Sequence, residues 1–161
     1  MPHITPAHLH VLLNHIPVIG LPVMAILLAW GLVRKEEAVI RAALLGAIVI
    51  AIGTFIVNLT GDPAIDDIRH LPWFQKSVVR AHEDAGDKTN YLAIVAGVAA
   101  LVTLVMSRGG KMISRKLALL SLGLLVFAAM CAAWAGWEGG KIRHDEFGTT
   151  PPPTAADSVR P

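Results

Sequence analysis

Charge is scarce in this chain: Asp, Glu, Lys and Arg make up 16% of its 161 residues, and the net charge is +2. The few Lys and Arg form no stripe that could track a phosphate backbone, and the aromatics do not interleave with them, which argues against nucleic acid as a partner. Cysteine is nearly absent. The single Cys131 cannot form an internal disulfide, and beside Ala132 and Ala133 in an apolar run it reads as a helix-packing residue. No basic segment precedes the first apolar run and no small-residue cleavage site follows it, so that run is expected to stay in place as a span rather than leave as a signal peptide. No solenoid-type repeat is visible.

What fills the chain instead is apolar: 54% of the residues are hydrophobic and the mean hydropathy is +0.58, which places it among membrane proteins. The length suits one domain, expected over residues 1–147. Four stretches, at about residues 11–33, 42–59, 88–107 and 114–137, are long enough or nearly so to cross about 30 Å of hydrocarbon. The third is the shortest in strictly apolar residues, from Tyr91 to Met106, and borrows Thr89 and Asn90. Short connectors, Arg34 to Arg41 and Ser107 to Lys116, make neighbouring spans antiparallel. The predicted fold is all-α, an integral membrane four-helix bundle whose helices extend above the membrane on the side of the termini.

Lys and Arg are equal in number on the two sides, but one side packs its share into the two short connectors, so the positive-inside rule, which weighs short loops, puts these in the cytoplasm and both termini on the outer, periplasmic side. In the long middle segment, Asp62 followed by Pro63 predicts the start of a short helix that Pro72 interrupts. From about Trp73 the spacing of Phe74, Val78, Ala81 and Ala85 is helical and runs unbroken into the third span. The polar, proline-rich residues 148–161 are expected to be disordered.

All seven histidines, His3, His8, His10, His15, His70, His82 and His144, fall on the side of the termini. Counting up from the cytoplasmic helix ends at about 1.5 Å per residue puts His10 roughly 35 Å, His82 roughly 37 Å and His144 roughly 40 Å high, with His15 about two turns deeper. The level for His144 requires the fourth helix to persist through Gly139 and Gly140. His10 and His15 would point about 140° apart from one helix, toward different neighbours. His82 shares a face with Val78, Ala85, Gly86 and Thr89, and His144 continues a stripe of Ala132, Gly136 and Gly140.

Such a stripe either lets two helices touch or leaves room for a flat cofactor. His10, His15, His82 and His144 are accordingly the candidate ligands, because ionisable groups at a membrane edge mark function. His3 and His8 read as solvated and His70 as an interfacial side chain. Asn14, Asp62, Glu83 and Glu138 lie near the same level; a carboxylate there could accept the second N–H of a ligating imidazole or take up a proton, although Glu83 reads equally as part of a solvated face. Trp134 and Trp137 read as interfacial anchors.

Several short motifs, Asn14-His15-Ile16-Pro17, Thr60 to Ala64 (TGDPA), Ala81 to Glu83 (AHE) and Gly139 to His144 (GGKIRH), resemble in order and spacing those of small bacterial four-helix inner-membrane proteins classed as a domain of unknown function. The family's common His-Phe-Pro element has Ile16 in the middle position here. The resemblance covers nearly all of the chain except the tail. It implies a cytochrome-b-like protein of the bacterial inner membrane and carries over to His10, His15, His82 and His144.

The leading expectation is a membrane b-type cytochrome. Its one or two haem b groups would be held by imidazole pairs and would pass electrons between quinol or quinone in the bilayer and a periplasmic redox protein, alone or within an oligomer or complex. One cysteine leaves no C-x-x-C-H attachment for a c-type haem. Two alternatives stand beside it. Three or four imidazoles with Glu83 would suit a bare copper or zinc ion, although H-E-x-x-H is absent. Otherwise the chain is a structural membrane anchor with incidental histidines.

Overall fold

Lipid offers no hydrogen-bond partner, so long uncharged runs of Leu, Ile, Val and Ala must satisfy their own backbone as helix. The computed structural model describes residues 4–109 and 111–142, and among them there is no strand. The helices are α1 (Pro6–Leu13), α2 (His15–Arg34), α3 (Glu37–Leu59), α4 (Gly61–Ile68), α5 (Lys76–Met106) and α6 (Arg115–Gly140). Four segments are long and apolar enough to cross a membrane: Pro6–Arg34, Glu37–Ile68, Lys76–Met106 and Arg115–Gly140. The chain is therefore a multi-pass membrane protein. Helices α2, α3, α5 and α6 close a square in that order, each packed on two neighbours.

The bundle is small inside and large outside. Its buried positions include Ala43, Ala47, Ala93, Ala96, Ala100, Ala118, Ala128 and Ala132, with Leu21, Leu28, Leu44 and Leu125 filling the centre. Ile26, Val49, Ile52, Leu120, Phe127 and Met130 face outward instead. Lipid tails are as apolar as these side chains, so burying them gains little, whereas small residues let backbones approach. The buried hydroxyls of Thr54, Thr89, Thr103 and Ser121 each donate to the carbonyl four residues back, at 2.8, 2.9, 2.7 and 3.0 Å. They stay satisfied without water.

At the connector end, α2 stops at Lys35, whose φ of 56° places it in the left-handed region, and α3 is under way by Glu37. Arg41 then clasps the other connector, donating to Ser107 Oγ at 3.1 Å, the Ser107 carbonyl at 3.3 Å and the Lys111 carbonyl at 3.2 Å. At the opposite end, α1 packs on α4 over the mouth of the bundle. Helix α5 spans 31 residues, roughly 46 Å at 1.5 Å per residue, more than the hydrocarbon thickness. Its first turns therefore stand clear of the membrane beside α1 and α4.

Three sequence expectations shift here. The first span is interrupted at Asn14 alone, between α1 and α2, where the backbone stays in the right-handed helical region but Pro17 has no N–H to offer the Leu13 carbonyl. Helix α4 starts at Gly61 with Thr60 as its cap, leaving Asp62 in the first turn, where its charge suits the helix dipole. Helix α5 begins at Lys76 rather than near Trp73. Helix α6 does continue through Gly140, whereas the expected tail, residues 148–161, lies outside the described residues.

Helices α3 and α5 approach closely at Gly97, where an added Cβ would fall 2.6 Å from that of Ala51. Gly97→Ala is expected to destabilise the detergent-solubilised protein by about 1–3 kcal/mol in thermal unfolding. Ala51→Gly in the same chain should recover most of the loss. Gly86→Ala and Gly123→Ala, where a new methyl meets nothing within 4 Å, should hold or raise the midpoint.

Candidate functional site

His82 projects from the second turn of α5 onto α6. Its Nδ1 lies 2.8 Å from the carbonyl oxygen of Ala135, which can only accept, so Nδ1 carries the proton. The ring sits over Gly139, where an added Cβ would come within 3.1 Å of both Cε1 and Nδ1. The glycine-rich end of α6 is thus the seat of an imidazole.

His10 is held from the other side. Thr5 caps α1 by accepting from the His8 backbone N–H at 3.4 Å, and the Ala7 N–H donates to Asp67 Oδ2 of α4 at 3.3 Å. These contacts fix α1 on α4. The half-buried His10 then places Nδ1 2.7 Å from Thr60 Oγ1, while that hydroxyl donates to the Val57 carbonyl at 2.6 Å. A hydroxyl has one proton, already committed, so His10 Nδ1–H must be the donor. Both imidazoles are held in the same tautomer, with the Nε2 lone pair left over when neutral.

The two rings meet across the mouth of the bundle. Their centroids lie 6.1 Å apart with planes at 86°. Two imidazoles bound through Nε2 to opposite sides of one metal ion, at about 2 Å each, would hold their centroids roughly 6 Å apart. The 6.1 Å separation of the pair is close to that value, with the rings meeting edge to face. Beside it, Gly86 presents a side with no atom within 4 Å of a would-be Cβ, so flat bulk next to His82 meets no wall there.

The remaining candidates are placed differently. His15, beyond the break at Asn14, is exposed, and its Nδ1 lies 3.1 and 3.2 Å from the carbonyls of Val11 and Leu12. It does not join the pair. His8 is exposed and bonded to Thr5 Oγ1 at 3.0 Å, and His70 is also exposed. His3 and His144 lie outside the described residues. Among the described residues no three His, Cys, Asp or Glu side chains gather as a metal-ligand cluster.

The expected carboxylate partners of the imidazoles are otherwise engaged or turned out. Glu138 accepts from Lys141 Nζ at 2.8 Å and from Trp134 Nε1 at 3.3 Å. Asp62 and Glu83 are exposed, and Asn14 is half-buried at the helix break. The orienting is done by Thr60 and by the Ala135 carbonyl. Neither was assigned that role from sequence, although Thr60 and Gly139 both stand within the short motifs noted above. No protein-family model, curated protein or solved structure matches the chain.

In ¹⁵N spectra of histidine-labelled protein at neutral to alkaline pH, His10 and His82 should both show the Nδ1–H tautomer. Thr60→Val should change the His10 signals and leave those of His82 in place. A mixed tautomer at both rings in the wild-type chain would contradict the hydrogen-bond directions above.

Proposed function

We propose that the chain is a membrane b-type cytochrome in which His10 and His82 hold one haem b and electrons pass from quinol in the bilayer to a redox protein at the outer face. The observation that carries this reading is the pair itself, two imidazoles from different helices in the ligand tautomer, close to the separation one iron requires. A bound haem supplies reversible one-electron chemistry at its iron. The chain's part is to aim the rings: Thr60 and the Ala135 carbonyl hold the outer nitrogens, which orients the inner ones and raises their basicity. Helix α4 keeps α1 over the bundle so that His10 stays opposite His82.

One haem is the stoichiometry this arrangement favours, because His15 points away from the pair. The reading also adopts the resemblance to the small bacterial four-helix family, with the chain in the inner membrane and its termini in the periplasm. Arg34, Lys35 and Arg41 at one connector and Arg108, Lys111, Arg115 and Lys116 at the other support that orientation.

A reduced-minus-oxidised visible spectrum of the purified protein tests the proposal, with a sharp alpha band and shifted Soret band expected. His10→Ala and His82→Ala should each abolish the bands, Thr60→Val should weaken haem retention by about ten-fold, and His8→Ala and His15→Ala should retain haem. Copper or zinc bound without these bands would replace the cytochrome with the bare-metal site. Neither metal nor haem would leave a membrane anchor.

A further inference from the structure

A second feature lies deeper, on the lipid-facing seam between α3 and α5. Because Ala51 and Gly97 have almost no side chain, the two helices touch there and leave an apolar groove of about 270 Å³. Ile48 and Phe55 of α3 and Ile94 and Leu101 of α5 form its walls. Toward the histidine end the same seam turns polar within one helical turn. Asn58, three residues beyond Phe55, donates from Nδ2 to Asp87 Oδ1 at 3.0 Å. Asn90, four residues before Ile94, donates from Nδ2 to Asn58 Oδ1 at 3.2 Å. The other amide oxygen, Asn90 Oδ1, is buried with no partner.

We infer that this seam binds a quinol, with the tail in the groove and the hydroxylated head at Asn58, Asp87 and Asn90. This rests on the cytochrome reading for its redox role, but not for the binding itself. The chemistry at the polar end favours that occupant. Asp87 and the orphaned Asn90 oxygen both accept hydrogen bonds, so they suit a neutral head that donates them. A phosphate head group would meet the Asp87 carboxylate instead, and no cation lines the groove. Lys88, the neighbour of Asp87, is turned onto the Trp134 ring at 4.7 Å, away from the seam.

The position also connects the two sites. Asn58 is two residues before Thr60, which holds His10, and Asp87 is five residues after His82, roughly 7.5 Å along the helix. Oxidation of one quinol to quinone breaks two O–H bonds and releases two electrons and two protons. A haem held by His10 and His82 would supply the one-electron acceptor for each of them, with the external one-electron carrier as the final acceptor. The protons leave one after the other through the exposed Asp87 carboxylate to water.

The test is photolabelling of the purified full chain in lipid nanodiscs with a decyl-tailed azidoquinol kept reduced under argon, mapped by mass spectrometry. Label carried on the head should concentrate on residues 55–58 and 87–94 and be displaced by unlabelled decyl-tailed quinol. Val98→Trp, which fills the groove from its exposed rim, and Asp87→Leu, which removes the polar acceptor, should each reduce specific labelling by at least about ten-fold. Leu120→Trp, on the exposed face of α6, should not. Label spread over all four spans in proportion to exposure, or not displaced by quinol, would overturn the site. Labelling is read on protein with and without haem. Specific label on a chain that shows no haem bands supports the quinol site and removes only the cytochrome; haem bands without specific label remove only the quinol site.

Discussion

Helices in lipid cannot be held together by hiding leucines from water, so this bundle depends on how closely its backbones can approach. Helix α5 makes that approach on both sides. Gly97 meets Ala51 of α3, and the row of Ala85, Ala93, Ala96 and Ala100 is buried against its neighbours. From this contact follow the depth of the α3–α5 groove, the reach of His82 to the Ala135 carbonyl and the fit of its ring over Gly139. A larger residue on this row would move the imidazole along with the helix.

The mouth of the bundle is organised by the opposite kind of force. There the helices have left the hydrocarbon, and polar contacts carry the geometry. Asp67 takes the Ala7 N–H, Thr60 takes the His10 Nδ1–H, and the Thr60 hydroxyl is itself fixed by the Val57 carbonyl. Each group sets the donor or acceptor role of the next. The outcome is a pair of imidazoles whose free nitrogens are the ones a metal would take, achieved without a carboxylate on either ring.

Much of this was legible in the sequence. The four apolar runs, their short basic connectors and the unbroken helical spacing from Val78 into the third span all depend on periodicity and length, which are local properties. Counting turns also put His10 and His82 at one height, because helical rise is constant. His15 shows where such counting stops. The count gives its level, and the angle of about 140° from His10 turns it toward another direction, but only the packing shows that it is exposed there. The carboxylates near that level have local partners that a count of heights does not show. Glu138 has Lys141 one turn away and Trp134 one turn back, and these local partners claim it before any imidazole can.

The sequence by itself determined that the chain crosses a membrane as a bundle of helices and that its histidines crowd one end, since both follow from which residues stand in which order. Only the tertiary structure decided which histidines meet, which nitrogen each ring leaves free, and that a backbone carbonyl and a threonine hydroxyl make that choice. Those are properties of contacts between residues 50 and 53 apart in the chain, and of a ring pair, His10 and His82, from α1 and α5. A carbonyl leaves no mark in the sequence, because every residue has one; only the fold determines which of them faces an imidazole.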